Sequence, residues 1–332
     1  MFKRWFLKVL GALLFGLLAI GYVSGIQPKR DALAQASNQF GIALEQQTVD
    51  VGDVSLNVVF AGPADGEPVI LLHGYPEFWY AWRGVMAELA KAGFRVIVPD
   101  QRGYNQSDKP ASANDYTLDK LASDVQSLAH HLGYQRVFLA GHDFGGQVAW
   151  WTLILYPDLV ESFIIINKPH PQAIKDFSES NPSISWYRTF LRIPYLPDYV
   201  ARLANWHILA KNLRETSQPD TFSKTHLDQF RSAWDYEGAI HSMNAWYRAN
   251  ANFDMGIGKI ITTPGAFLLA PNDAFSPIEM GKLTMSYLPN AQLVELTEGT
   301  HWVIQEQPLQ VANLMIKQFN SEPLNAAPRQ SN

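Results

Sequence analysis

One short segment pairs a reactive side chain with a backbone suited to exposing it: Gly141-His142-Asp143-Phe144-Gly145-Gly146. It follows the apolar run 136–140 and opens a helical pattern. Glycine, any residue, nucleophile, any residue, glycine is the pattern of a sharp strand-to-helix turn. Small flanking residues let strand and helix approach closely. Serine is usual at the centre, and here it is Asp143. A helix N-terminus favours the anionic form of that carboxyl. An aspartate that only caps the helix would look the same, so its partners must decide. Asp273 follows the run 267–270, in Pro271-Asn272-Asp273-Ala274. His301 follows the run 292–296, in Gly299-Thr300-His301-Trp302. Nucleophile, acid and histidine at three strand ends, in that chain order, form a hydrolytic triad. His301, oriented by Asp273, is the expected general base.

The elements around these residues fit that placement. Runs 69–72, 95–98, 136–140 and 163–166 are short and apolar, as strands buried on both faces of a parallel sheet must be. Helical patterns at 82–92, 118–132 and 146–156 alternate with them, which predicts an α/β fold. An alternating run at 51–60 predicts a further strand. The pattern breaks near Lys168. From there to about 254 the chain is rich in aromatics and proline, with no strand signal. The sheet pattern resumes at 266–270 and 292–296, and a helix over 308–319 closes the domain. We therefore expect a core of residues 49–167 and 255–320, a helical lid at 168–254 and a flexible tail at 321–332. A lid at the carboxyl ends of parallel strands would cover the reactive residues. His73-Gly74-Tyr75-Pro76 ends the strand next to the elbow. The N–H groups of Tyr75 and Phe144 could there form an oxyanion hole.

Three groups of residues together resemble the epoxide hydrolases of the α/β-hydrolase fold. They are His73-Gly74-Tyr75-Pro76 with Trp82-Arg83, Asp100-Gln101-Arg102-Gly103-Tyr104 with Ser107-Asp108-Lys109-Pro110, and residues 141–146. The likeness runs from about residue 48 to 320. It implies a mostly parallel sheet with helices on both faces and an inserted helical lid. It also implies two lid tyrosines that hold the epoxide oxygen. Ser185-Trp186-Tyr187, with Ile193-Pro194-Tyr195-Leu196-Pro197, resembles the first such segment and points to Tyr187. Asn244-Ala245-Trp246-Tyr247-Arg248 resembles the second and points to Tyr247. Among so many lid aromatics, plain packing is the competing role. Trp79 and Trp302 are expected to contact substrate. Asp273-Ala274-Phe275 and the apolar N-terminus look most like the membrane-anchored branch of the family.

The chemistry separates the candidate reactions. A carboxylate attacking a saturated carbon forms an alkyl ester, which a histidine-activated water then hydrolyses. Opening an epoxide releases an alkoxide, which needs an acid; a tyrosine with pKa about 10 can supply it. Dehalogenases share the nucleophile but need halide donors, such as a tryptophan after the aspartate. Here that residue is Phe144, and position 75 is tyrosine rather than asparagine. Phe144 and Gly145, the residues that follow Asp143 in the chain, leave no place there for the arginine pair of fluoroacetate-type enzymes. A serine-type esterase is excluded by the aspartate itself. A binding protein that keeps the fold without turnover would have no need of Asp273 and His301. The reading is an epoxide hydrolase acting on an apolar epoxide, with a haloalkane or haloacid dehalogenase or a non-catalytic binder as alternatives.

Bulk properties set the outer limits. The chain has 332 residues, 47% hydrophobic and 17% charged, enough for one large domain with an insertion. A net charge of −5 argues against a nucleic-acid partner. There is no cysteine, so disulfides and thiolate chemistry are excluded. No histidine spacing suggests a metal, and no cofactor is expected. Lys3, Arg4 and Lys8 precede an apolar run over 9–23. Residues 1–26 are therefore expected to be a membrane anchor or a cleaved signal peptide, with 27–48 as a spacer. Either leaves the catalytic domain on the non-cytoplasmic side, anchored or exported. The oligomeric state is not legible in the sequence.

Overall fold

The computed structural model describes residues 30–181, 186–251 and 258–321. In chain order the elements are helix α1 (Ala32–Phe40), strands β1 (Leu44–Asp50), β2 (Ser55–Ala61) and β3 (Pro68–Leu72), and helix α2 (Arg83–Lys91). Next come β4 (Arg95–Pro99), α3 (Leu118–His131), β5 (Val137–His142), α4 (Phe144–Leu155) and β6 (Val160–Ile166). The insertion holds α5 (Pro171–Ser180), α6 (Trp186–Leu191), α7 (Leu196–Glu215), α8 (Lys224–Trp234) and α9 (Ala239–Ala249). The chain then completes the core with β7 (Gly265–Leu269), α10 (Ile278–Thr284), β8 (Ala291–Glu295), α11 (Val303–Glu306) and α12 (Pro308–Phe319).

The strands form one eight-stranded sheet in the order β1-β2-β4-β3-β5-β6-β7-β8. β2 runs antiparallel to both β1 and β4, and the other pairings are parallel. Burial follows position in the sheet. All residues of β3, β4, β5 and β7 are buried. The edge strands β1 and β8 carry polar, partly exposed positions. This is how an apolar central strand and a solvated edge must differ. Helices α2 and α12 pack together on the sheet, as do α3 and α4. α4 is buried from Phe144 through Leu153, which explains why its sequence lacks a polar face.

Two expectations are corrected. The segment 27–48, read as a spacer, contributes α1, whose Ala36 is buried, and the strand β1 paired along its length with β2. Its polar character reflects an edge position. The single strand expected over 51–60 is a hairpin: β1 ends at Asp50, and β2 starts at Ser55 after a turn in which Gly52 has φ 108°. Within the insertion, α6 and α8 pack on α9, whereas α5 packs on α10 beside the sheet. The long element α7 breaks at Leu203–Trp206. Ala204, Asn205 and Trp206 there have φ of 48°, 60° and 61°. Trp206 is fully buried against Trp234, which holds the break in place. Among the described residues no helix is long and apolar enough to cross a membrane. The anchor expected at 1–26 and nearly all of the tail expected at 321–332 lie outside the described residues.

Candidate active site

The three triad residues enter one site from three neighbouring parts of the sheet. Asp143 follows β5, Asp273 follows β7 and His301 follows β8. Asp143 has φ 49° and ψ −119°, a conformation that L residues rarely adopt. The turn persists because its neighbours cannot be larger. A Cβ on Gly145 would lie 2.2 Å from the Leu72 carbonyl oxygen, and one on Gly74 would lie 2.6 Å from Asp143 Cβ. Asp143 Oδ1 accepts a hydrogen bond from the Tyr75 N–H at 3.0 Å. Its Oδ2 lies 3.6 Å from His301 Nε2 and 3.8 Å from Lys168 Nζ. Burial alone would raise the carboxyl pKa, but Lys168 and His301 outweigh it and hold Asp143 well below the usual carboxylate range.

His301 faces carboxylates on both ring nitrogens. Its Nδ1 lies 2.9 Å from Asp273 Oδ2. Asp273 Oδ1 is fixed by the N–H groups of Phe275 at 2.7 Å and Ser276 at 3.1 Å. Burial works against an imidazolium here, yet Asp273 and the hydrogen bonds to both aspartates raise its pKa to about 10. The loop carrying His301 is tied down from below. His142 Nε2 donates to the His301 carbonyl at 2.7 Å, and its Nδ1 lies 3.1 Å from Glu77 Oε2. Gln305 Nε2 donates to Glu77 Oε1 at 2.6 Å. Asn167 Nδ2 donates to the same His301 carbonyl at 3.1 Å, while its Oδ1 accepts from the Ala270 N–H at 2.9 Å. His142, Glu77, Asn167 and Lys168 were not singled out from the sequence. Three of them lie at the ends of β5 and β6, and strand-end position was the only signal available.

The lid brings Tyr187 from α6 and Tyr247 from α9 over the same aspartate. Their rings are 6.4 Å apart and edge-on. Tyr247 also packs edge-on against Tyr75 and Phe144, at 5.3 and 4.9 Å. Burial raises both phenol pKa values, that of Tyr247 well above its ordinary range, so both remain protonated donors. A cavity of ≈ 280 Å³ is lined by Asp143, His301, Tyr75, Tyr187 and Tyr247 at its base. Phe190, Leu191, Pro197, Val200, Ile208, Leu209, Phe275 and Trp302 supply an apolar wall. The structure places Trp302 on this cavity, with its indole N–H donated to Thr216 Oγ1 at 2.8 Å. Trp79 is not there. The short turn Trp79–Trp82 carries the Trp79 ring into the core beside Phe78 and Tyr80, and the Trp79 backbone N–H donates to Asp100 Oδ1 at 3.0 Å. The Tyr75–Pro76 peptide bond is cis. Tyr75 N–H, one of the two expected oxyanion donors, already faces the carboxylate. Phe144 opens α4, where first-turn N–H groups lack helical acceptors. Among the described residues no His, Asp or Glu cluster is arranged to hold a metal ion.

This arrangement sets a carboxylate, a histidine and two lid phenols on one cavity. The alpha/beta hydrolase fold family matches residues 67–308, most of the chain and all three triad positions. The chain belongs to that family. This α/β-hydrolase is 33% identical over 281 residues to the AB hydrolase superfamily protein YfhM of Bacillus subtilis, covering 83% of this chain and 98% of that one. It is also 33% identical over 274 residues to Epoxide hydrolase 4 of Homo sapiens, covering 80% and 75% of the two chains. Among solved structures, it is similar to the Bacillus megaterium epoxide hydrolase in complex with an inhibitor. The TM-score is 0.75 at 25% identity, covering 82% of this chain and 100% of that one. Together these relatives make the protein a hydrolase enzyme with epoxide hydrolases among its homologues.

Proposed function

We propose that this hydrolase converts an apolar epoxide to a vicinal diol through an ester on Asp143. The observation that carries the reading is the pairing of two protonated tyrosines, Tyr187 and Tyr247, with one carboxylate on a shared cavity. In the first step an Asp143 carboxylate oxygen bonds to an oxirane carbon and the C–O bond breaks. A tyrosine donates a proton to the departing oxygen. Esterification removes the charge of Asp143 and with it one of the two anions that keep His301 protonated. The imidazole can then give up its proton, which restores the tyrosine that protonated the departing oxygen, and act as base. It takes a proton from water, whose oxygen attacks the ester carbonyl. The oxyanion forms beside Tyr75 N–H and Phe144 N–H. Collapse breaks the bond between the carboxyl carbon and the alkyl oxygen, which takes the proton of the new Asp143 carboxyl group; the diol leaves and the Asp143 carboxylate is restored.

A halide would be served poorly here. The residue after Asp143 is a phenylalanine, and the tryptophan on the cavity has its N–H committed to Thr216. The first proposed assay is intact mass of His301→Gln with an epoxide and, separately, a haloalkane. An adduct with the mass of the whole epoxide, absent from Asp143→Asn, supports the reading. An alkyl adduct from the haloalkane alone would make the enzyme a dehalogenase. We also propose that residues 1–26 tether the catalytic domain at a membrane on its non-cytoplasmic side. Carbonate-resistant membrane pelleting of the full chain, lost on deleting 1–26, tests this.

A further inference from the structure

Asp143, Tyr187 and Tyr247 also line a second, smaller chamber of ≈ 60 Å³ with a different chemistry. Its remaining wall includes Gln147, Lys168, Arg188, Arg192 and Asn250. Lys168 is 9% exposed and Gln147 is 4% exposed. Three cationic side chains therefore meet around one carboxylate, Asp143. Among the described residues no carboxylate pairs with Arg188 or Arg192, and Lys168 pairs only with Asp143. Two donors in the chamber have no acceptor: Gln147 Nε2 and Arg192 Nε. Buried N–H donors without partners are rare because each costs its lost hydration. Burial and the nearby Arg188 pull the Lys168 ammonium down to about 8, a cost that a bound anion would offset. Once Asp143 is esterified, the cluster holds no anion of its own.

We infer that this chamber seats the carboxylate of the substrate, so that the preferred epoxide carries an acid group on its oxirane ring or one bond away from it. The inference rests on the epoxide reading and replaces its wholly apolar substrate with one that joins a carboxylate to an apolar substituent. Lys168 Nζ is 3.8 Å from the attacking carboxylate, which fixes the short spacing. The chamber is small beside the ≈ 280 Å³ cavity, so the carboxylate takes the chamber and the bulkier substituent takes the cavity. The apolar substituent then lies in the larger cavity, whose wall is aliphatic and aromatic.

The test compares kcat/KM for 3-phenylglycidate, its primary amide and styrene oxide. The acid is expected to exceed the amide by about tenfold or more, as for one hydrogen bond to a charged group. Arg192→Leu and, separately, Lys168→Met should each pull that ratio toward one. Amide hydrolysis at a rate equal to or above that of the acid overturns the inference and leaves the epoxide reading standing. So does a ratio that neither variant changes. If both variants fail to fold, competition against styrene oxide by phenylacetate and phenylacetamide replaces them. Equal inhibition by the two then overturns the inference. Failure of all three epoxides, with no adduct on Asp143, removes the epoxide reading and this inference together.

Discussion

The floor of the site and its lid are built on different principles. On the floor, the functional residues are held by directed hydrogen bonds. Asp143 takes the Tyr75 N–H, Asp273 takes two consecutive N–H groups, and the His301 carbonyl is bonded by both His142 and Asn167. The parallel strands β5, β6 and β7 fix these points to one another. In the lid, Tyr187 and Tyr247 are positioned mainly by ring contacts with Phe275, Phe144, Tyr75 and each other. Ring packing is less directional than a backbone hydrogen bond. In the proposed reaction, bond formation at carbon demands a fixed nucleophile, whereas the departing oxygen can lie over a range of positions. The two constructions match those two demands.

That contrast predicts an order of effects. Asp143→Asn removes the attacking charge and should lower kcat/KM for an epoxide by roughly 10⁴-fold or more, as loss of a nucleophile does. A loss under tenfold would place the nucleophile elsewhere. Replacing both lid tyrosines with phenylalanine should cost about 10²–10⁴-fold, the range for general acid catalysis, with each single change costing less. Equal losses for a single and the double variant would show that only one tyrosine donates.

A third test concerns the joint between floor and lid. The Arg102 carbonyl accepts the Trp246 N–H of α9 at 3.0 Å, and the Arg102 side chain forms a two-point pair with Asp124 of α3, at 2.6 and 2.8 Å. Both partners are buried. Asp124→Asn leaves a buried guanidinium without its counter-charge and should destabilise the fold by about 3–5 kcal/mol in denaturant unfolding. An unchanged midpoint would mean that solvent reaches the pair.

The histidine gives a pH test of the floor. With both aspartates charged, its proton is held up to about 10. Alkylation of Asp143 removes one of those charges, so the base form needed for ester hydrolysis should appear at lower pH. Single-turnover diol formation should therefore rise with pH through an apparent pKa under 10. A flat profile from about pH 6 to 9 would mean that water attacks without this base, given the ordinary histidine pKa of about 6.5. The smallest effect belongs to the lid mouth. Ile208→Ser, at a half-exposed wall position of the cavity, should raise KM for apolar epoxides by only a few-fold, since roughly 25 cal/mol is lost per Å² of apolar contact. A change in kcat instead would mean that the lid wall also positions the reacting atoms.

The sequence by itself determined the class of fold and the sharp strand-to-helix turn at Asp143. Short apolar runs bounded by glycine, proline and aspartate have one good solution, a buried parallel sheet with loops at its strand ends. Asp143, Asp273 and His301 could be read because each sits at such an end, where position along the chain already implies position in space. The polar segment 27–48 misled because an edge strand and a linker have the same composition; only pairing with β2 distinguishes them. Trp79 misled because a tryptophan near a motif carries no direction, and the turn at Trp79–Trp82 points it into the core. Only the tertiary structure decided which residues outside the triad converge on Asp143. Lys168, Arg188 and Arg192 come from a strand end and a lid helix, and Gln147 comes from the helix after the elbow. Their meeting depends on how the insertion folds back over the sheet. That path is set by long-range packing, so no local spacing in the chain records it.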